Sequence, residues 1–293
     1  MSKLKNKYVT SPILLSVAAI WGSAFVIMKT TLERLDVNSF LATRFLIATI
    51  FLIAINPKTL KKIDRKFFIK GVLTGTFLAT GYILQTFGLT LTTIAKTGFI
   101  TGLYAVFTPL IAAFVLKKRI LSVQWIAVAI ATFGLALLSF KGISIGLGEF
   151  LVLLSALFFA IHIIALGEWS PSMDTYALTV VQMGTVGIIA LLCSFKGGFH
   201  MPADGDAWFA VIYTAIFASA FAFMVMTWGQ SFMQPTTIGI ILTSEYIFAA
   251  IFAAIFAKEL ITAKTLIGGA LVMGAMYMLI WVDGRPENEK IEA

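Results

Sequence analysis

The sequence predicts an all-α polytopic membrane protein: ten transmembrane helices arranged as two inverted five-helix repeats. Three observations predict it. Of 293 residues, 59% are hydrophobic and 12% are charged, about half the charged share of an ordinary soluble domain. The apolar residues fall into ten runs, each near the length a helix rising about 1.5 Å per residue needs to cross about 30 Å of hydrocarbon. The two halves of the chain also carry similar residues in a nearly constant register.

In order, the runs are 9–31, 37–56, 68–91, 94–116, 121–140, 147–167, 174–195, 206–230, 234–257 and 262–283. The first follows Lys3, Lys5 and Lys7, as in a signal peptide. It stays apolar to Lys29 and leads directly into the second run, so it reads as a retained helix. The longest polar pieces are Pro57–Phe67, Lys196–Asp206 and the tail from Gly284, while joints such as Thr92–Thr93 and Gln230–Gln234 are turns only. No soluble domain fits between the runs, so the activity belongs inside the bilayer.

The net charge of +8 sits in these joints. There it sets orientation rather than forming a nucleic-acid surface. With the N-terminus cytoplasmic, 14 Lys and Arg residues fall on that side and 6 on the other. Both termini are therefore expected in the cytoplasm of a cell with this protein in its membrane, and the short loops suit a bacterial inner membrane. The lone Cys193 supports neither an intrachain disulfide nor a cysteine metal site. His162 and His200 form no HExxH pattern, and the chain has no Walker-type loop. No metal, cofactor, catalytic cluster or ATP-driven step is expected.

The repeat shows on two shifts. A shift of 138 places Trp21-Gly22 on Phe159-Ala160 and Arg44 on Gln182. A shift of 141 places Gly88 on Gly229, Gly98 on Gly239, Phe107 on Phe248, Lys117 on Lys258 and Tyr104 on Glu245. The halves read as 9–141 and 147–283, joined near Gly142–Gly148. Five passes is an odd number, so the copies lie in opposite orientations, the arrangement that builds carriers with a site where the repeats meet.

Glu245 stands near the middle of the run PTTIGIILTSEYIFAAIFAAIFA. An acid at that depth costs about 2.5–3.5 kcal/mol on insertion scales and needs a partner or a watery cavity. It reads either as a solute- or proton-binding acid or as a structural acid paired with a residue such as Arg44. Arg44 lies about five residues into its helix. It would hold a carboxylate solute, or pair with Glu33, Asp36 or Glu149. On the fourth run Thr97, Thr101, Tyr104 and Thr108 share a helix face, to line a polar path or to bond within the bundle. Pro109 is expected to bend that helix.

His162 shares a face with Ser155 and suits either a proton-coupled step or a buried structural bond. Tyr82 and Gln85 share a face on the third run, open to a solute or to neighbouring helices. Trp21, away from the interfacial belt where Trp concentrates, either stacks on an organic solute or packs. Lys29 and Lys96 are expected to snorkel to the interface. The sets Gly71/Gly75/Ala79, Gly98/Gly102 and Ala270/Gly274 permit close helix approach, the last within the monomer or in a homodimer.

These stretches resemble the EamA-type branch of the drug/metabolite transporter superfamily. AAIWGSAFVIMKTTLERLDVNSFLATRFLIA is similar to its first helix pair, AKTGFITGLYAVFTPLIAAFVLKKRI to its fourth helix and LVLLSALFFAIHIIALG to its sixth. SEYIFAAIFAAIFAKELI resembles its ninth, with Glu245 and Glu259 at the two acidic positions. Tyr246 replaces the family's proline there, Lys258 its glycine, and Lys118 stands where the first repeat often has an acid. The resemblance covers about Pro12 to Trp281. It implies ten helices around a central cavity, the fifth and tenth peripheral, with no ATP-binding domain. The function expected is secondary-active export of small organic metabolites or amino-acid-like solutes by alternating access, driven by a solute or proton gradient. An uptake carrier or exchanger, a channel, and a non-transporting receptor or scaffold are the alternatives.

Overall fold

The computed structural model describes residues 2–117, 122–141, 144–233, 235–260 and 262–283. Lys118, Arg119, Arg285 and Lys290, counted above for orientation, lie outside them. The first half runs through α1 (Ser2–Thr31), α2 (Val37–Ile55), α3 (Arg65–Leu91), α4 (Ile94–Thr101), α5 (Tyr104–Leu116) and α6 (Ser122–Ser139). A short antiparallel hairpin, β1 (Phe140–Lys141) with β2 (Ser144–Ile145), joins the halves. The second half follows with α7 (Leu147–Trp169), α8 (Thr175–Ser194), α9 (Gly205–Ala215), a π-helical turn (Ile216–Phe221) and α10 (Ala222–Gln230). It closes with α11 (Pro235–Leu242), α12 (Glu245–Phe256) and α13 (Ala263–Asp283).

Local chemistry sets the starts and stops. Asp36, Asp64, Thr93, Asp174 and Asp204 each accept the backbone N–H three residues on, satisfying a donor that the first turn leaves free. The chain leaves α5 and α12 through residues with left-handed backbone, Lys117 at φ 55° and Lys258 at φ 52°. The 141 shift had already matched those two lysines.

Seven helical segments are long and apolar enough to cross a membrane: Pro12–Thr31, Val37–Ile55, Arg65–Leu91, Ile94–Val115, Leu147–Ser172, Thr175–Ser194 and Gly205–Gln230. The fifth, ninth and tenth runs supply shorter apolar helices: Trp125–Gly134, Glu245–Phe256 and Leu266–Ala275. The ninth run is divided between α11 and α12. Around Thr243–Ser244 the backbone ladder tightens, with Ser244 N bonded to Ile241 O, Tyr246 N to Thr243 O and Ile247 N to Ser244 O. The fourth run tightens in the same way, Leu103 N to Ile100 O and Ala105 N to Gly102 O. Tyr104 and Glu245, the pair matched by the repeat, are thus each the first residue after an interruption. Pro109 lies inside α5, beyond the interruption rather than at it.

The most extensive packing crosses the halves: α3 on α7 and on α8, α6 on α13, α2 on α8 and α1 on α12. Small residues set these approaches. Gly71 and Gly75 of α3 face Val181 and Thr185 of α8, and Gly22 of α1 sits against Phe248 and the Glu245 carbonyl of α12. Gly274 meets nothing within 4 Å, so the described part of the monomer does not use it for packing.

Polar ties gather at the end of the bundle away from the N-terminus. Lys29 Nζ donates to Leu89 O at 2.5 Å and to Thr92 O at 2.7 Å. Lys96 pairs with Glu149 at 2.7 Å, and the Thr92 hydroxyl donates to the same carboxylate at 2.9 Å. Glu259 accepts from the N–H groups of Ile94 and Ala95, at 2.9 and 3.2 Å. Lys29 and Lys96, expected to snorkel, have their ammonium groups held by helix-end carbonyls and a carboxylate of neighbouring helices. At the end with the N-terminus, Lys62 pairs with Asp174 at 2.6 Å.

Candidate functional site

One cavity lies where the interrupted helices meet α1, α2, α3, α7 and α10. Trp21, Arg44, Tyr82, Gln85, Thr101, Tyr104, His162 and Glu245 all stand on its wall, with Phe25, Met28, Phe159, Phe223, Met226 and Leu242 among the apolar remainder. Its volume is about 50 Å³, room for a few waters at about 10–15 Å³ each. Seventeen residues border this small space, so it is a contracted site rather than an open channel.

Arg44 is 1% exposed and makes no ion pair among the described residues, contrary to the expected structural pair. Asp36 is committed to the α2 cap, bonding Ser39. Glu149 is committed to Lys96 and Thr92. Instead the guanidinium donates through Nε to the Ser219 hydroxyl at 2.8 Å and through an Nη to Ala218 O at 3.3 Å. Its carbon lies 4.8 Å from the Phe45 ring centre and 5.0 Å from that of Tyr82. Such contacts orient a buried cation without neutralising it. The π-helical turn makes them available, since the inserted residue displaces carbonyls from the regular ladder. Ala218 O also accepts from Trp21 Nε1 at 2.8 Å, which fixes the indole beside Phe223.

Glu245 is 4% exposed. Its carboxyl has no hydrogen bond or ion pair among the described residues, so the Arg44–Glu245 pair is not formed either. Across the pseudo-repeat, the hydroxyl of Tyr104 is also buried without a partner among the described residues. Tyr246, in the family's proline position, is seated over Gly98 and Gly102 and braces the two interruptions against each other.

His162 Nε2 lies 2.7 Å from Gln182 Oε1. The Gln182 amide nitrogen donates to Leu178 O, so its carbonyl faces the ring and Nε2 is the donor. Gln85 donates to the Thr101 hydroxyl at 3.0 Å. The hydroxyl stripe of the fourth run divides: Thr97 and Thr108 bond back to Thr93 O and Tyr104 O, whereas Thr101 and Tyr104 reach the cavity. Tyr82 packs edge-on to Phe45, Phe159 and Phe223.

Phe159, Phe223, Met226 and the Ser219/Ala218 anchor were not singled out from sequence. The repeat carried a signal for two of them, since Phe159 matches Trp21 and Phe223 matches Tyr82. The anchor depends on a π turn, and Phe-Ala-Ser is not a local signature for one.

Comparisons with known proteins agree along nearly the whole chain. The model of the EamA-like transporter family matches residues 11–140 and again 146–281. An uncharacterized transporter of Archaeoglobus fulgidus is 30% identical over 264 residues, covering 90% of this chain and 83% of that one. The uncharacterized transporter YetK of Bacillus subtilis is 23% identical over 286 residues, covering 92% and 86%. A crystal structure superposes with a TM-score of 0.70 over 94% of this chain and 97% of the other, at 17% identity, which speaks to the fold alone.

Proposed function

Since the chain belongs to the EamA-like transporter family, with both halves matching, it is a multi-pass membrane transporter of a small solute rather than an enzyme, and we infer that it is a secondary-active exporter of small organic metabolites or amino-acid-like compounds. Ten membrane passes form two inverted five-helix repeats, with both termini in the cytoplasm. The repeats alternate access to the cavity at their meeting point.

One observation carries this reading: a guanidinium and a carboxyl, Arg44 and Glu245, line the same small cavity, and neither is ion-paired among the described residues. Burying ionisable groups without counter-ions is costly. Retaining both in a wall of aromatic rings suits a solute that brings complementary groups and an apolar body. Glu245 or His162 takes up the proton in a proton-coupled cycle. Of the two, Glu245 is the freer, because the Nε2 of His162 is held by Gln182.

The test compares metabolites in the medium of cells overproducing the wild-type chain, Glu245→Gln, or neither. Export predicts that a few compounds accumulate outside only with the wild type, while the variant reaches the membrane in equal amount. Equal profiles in all three cultures would remove the exporter reading. Full export by Glu245→Gln would remove this carboxyl from the mechanism.

A further inference from the structure

Most threonines inside these helices return their hydroxyl to a carbonyl one turn back, as Thr43, Thr49, Thr179, Thr185 and Thr214 do. This is the ordinary way to satisfy a hydroxyl where water is absent. Thr227 does not: it is fully buried and its hydroxyl has no hydrogen-bond partner among the described residues. One turn on, Gln230 is 1% exposed, and neither its amide nitrogen nor its carbonyl oxygen has a partner among them. The hydroxyl of Ser170, also 1% exposed, is likewise unpartnered. Each buried orphan costs about 1–3 kcal/mol, so three of them along one line form an unusual concentration.

The line has a direction. On α10, Phe223 and Met226 face the cavity, and offsets of three, four and seven place Thr227 and Gln230 on the same face, further toward the end with the N-terminus. On α7, Phe159, His162 and Ile163 line the cavity, and the same face continues through Leu166 to Ser170. The turn Ser170–Ser172 packs against α10. The opposite route keeps only part of this feature. The 141 shift matches Thr227 with Thr86, also buried with an orphaned hydroxyl among the described residues. It matches Gln230, however, with Leu89, an apolar residue at the end closed by the lysine and glutamate ties.

We propose that Thr227, Gln230 and Ser170 form a second polar station, between the central cavity and the membrane face on which the N-terminus lies. It takes an uncharged hydrogen-bonding group of the passing solute: the amide supplies a donor and an acceptor, and the hydroxyls supply either. The structure is closed at this point. When α10 and the end of α7 separate, water and then solute satisfy the groups that are orphaned here. What passes through the station rests on the carrier reading, but its opening to water does not.

The test is cysteine accessibility in a Cys193→Ser background. Gln230→Cys and Thr227→Cys are placed in membrane vesicles of each orientation and treated with a charged, membrane-impermeant methanethiosulfonate. Phe217→Cys, at a position 48% exposed on the outside of the π turn, is the lipid-facing control. Thiols react as thiolates and need water. A station predicts that Gln230→Cys labels at least tenfold faster than the control, and only from the face bearing the N-terminus. Labelling no faster than the control for both variants, or equal from both faces, overturns the proposal.

Gln230→Leu supplies the second readout. Removal of an orphaned amide leaves the melting temperature equal or higher, while export of a compound identified in the metabolite comparison slows at least fivefold. Unchanged export in Gln230→Leu overturns the binding role. Labelling without any export leaves the station standing and removes the carrier reading.

Discussion

Replacing Gly22 with alanine tests the packing that holds Glu245 in place. A Cβ built on Gly22 falls 2.6 Å from Phe248 Cβ and 2.8 Å from both Ala249 N and the Glu245 carbonyl oxygen. Ordinary contact begins at 3.4 Å, so roughly 0.8 Å of separation must be found between α1 and α12. Two of the three atoms are backbone and cannot rotate aside. Overpacking of this kind costs about 1–3 kcal/mol, which corresponds to a fall of several degrees at about 2–4 °C per kcal/mol for chains of some 200 residues. The assay is thermal unfolding of the purified protein in detergent, with scan rate fixed because such melts are often irreversible. Gly197→Ala is the control: nothing lies within 4 Å of its added methyl and its φ is not positive, so its melt is unchanged or slightly raised. A Gly22→Ala protein melting within a degree of Gly197→Ala would refute the close approach of α1 to the first turn of α12.

Three further outcomes follow from the polar contacts. Arg44→Met is expected to fold at least as stably as the wild type, since replacing a buried unpaired charge with an apolar side chain is often neutral or stabilising, while export falls to background; a lower melting temperature would show that the guanidinium is needed structurally. Lys96→Met and Glu149→Leu each cost about 1.5–3 kcal/mol, the value of a hydrogen bond to a charged group, and the double variant costs less than the two combined, as a thermal double-mutant cycle reads directly. In the Asp174–Lys62 pair, burial pushes the Asp174 carboxyl up, but the bond from Lys62 and the cap bond from Ala177 outweigh it and leave the carboxyl below its usual value of 3.8. A group depressed in the folded state contributes stability above its unfolded pKa and loses it as pH falls through the folded one. The pair therefore contributes at pH 7, by less than about 1 kcal/mol because both side chains are partly exposed, and fades below about pH 4; Lys62→Met should flatten that acid limb of the melting-temperature profile.

Much of the fold was legible because bilayer physics leaves few choices. Ten runs, short joints and a fixed register indicate helices in two similar halves, and the left-handed lysines 117 and 258 keep that register at the level of single residues. The cavity residues were legible for a related reason: a polar side chain at depth is expensive, so Arg44, Glu245 and His162 stood out wherever they led. What could not be read was pairing. Arg44 had four candidate carboxylates, Glu33, Asp36, Glu149 and Glu245, yet a helix cap and Lys96 had claimed two of them. The interruption at Thr243–Ser244 was equally hidden, because the run has helix length and no glycine or proline at its middle, only Thr243, Ser244 and Glu245. Serine and threonine are permitted in such a helix, and the ladder tightens there because Tyr246 is wedged over Gly98 and Gly102.

The two ends of the bundle are closed by different means, and that difference bears on how the molecule opens. Away from the N-terminus, the Lys29, Lys96, Glu149 and Glu259 ties join α1, α3, α4, α7 and the segment after α12. A solute bound at about micromolar affinity supplies some 8 kcal/mol in all, and only its preference between states can drive opening. Several ties at about 1.5–3 kcal/mol each would consume that supply if all broke together, so they must exchange partners or open in part. Glu259 is the one whose loss is simplest to read, because it caps α4 through backbone N–H groups and makes no direct ion pair among the described residues, Lys29 feeling its charge only at a distance. Glu259→Ala removes a cap worth about 0.5–2 kcal/mol, which shifts a two-state balance toward opening at that end by roughly two- to thirtyfold at 1.4 kcal/mol per tenfold. The readout is labelling of Tyr104→Cys, on the cavity wall, by an impermeant thiol reagent applied to the face away from the N-terminus. Its rate should rise by that factor when Glu259→Ala is added. A lower melting temperature with an unchanged labelling rate would mean that Glu259 supports the fold without gating the cavity.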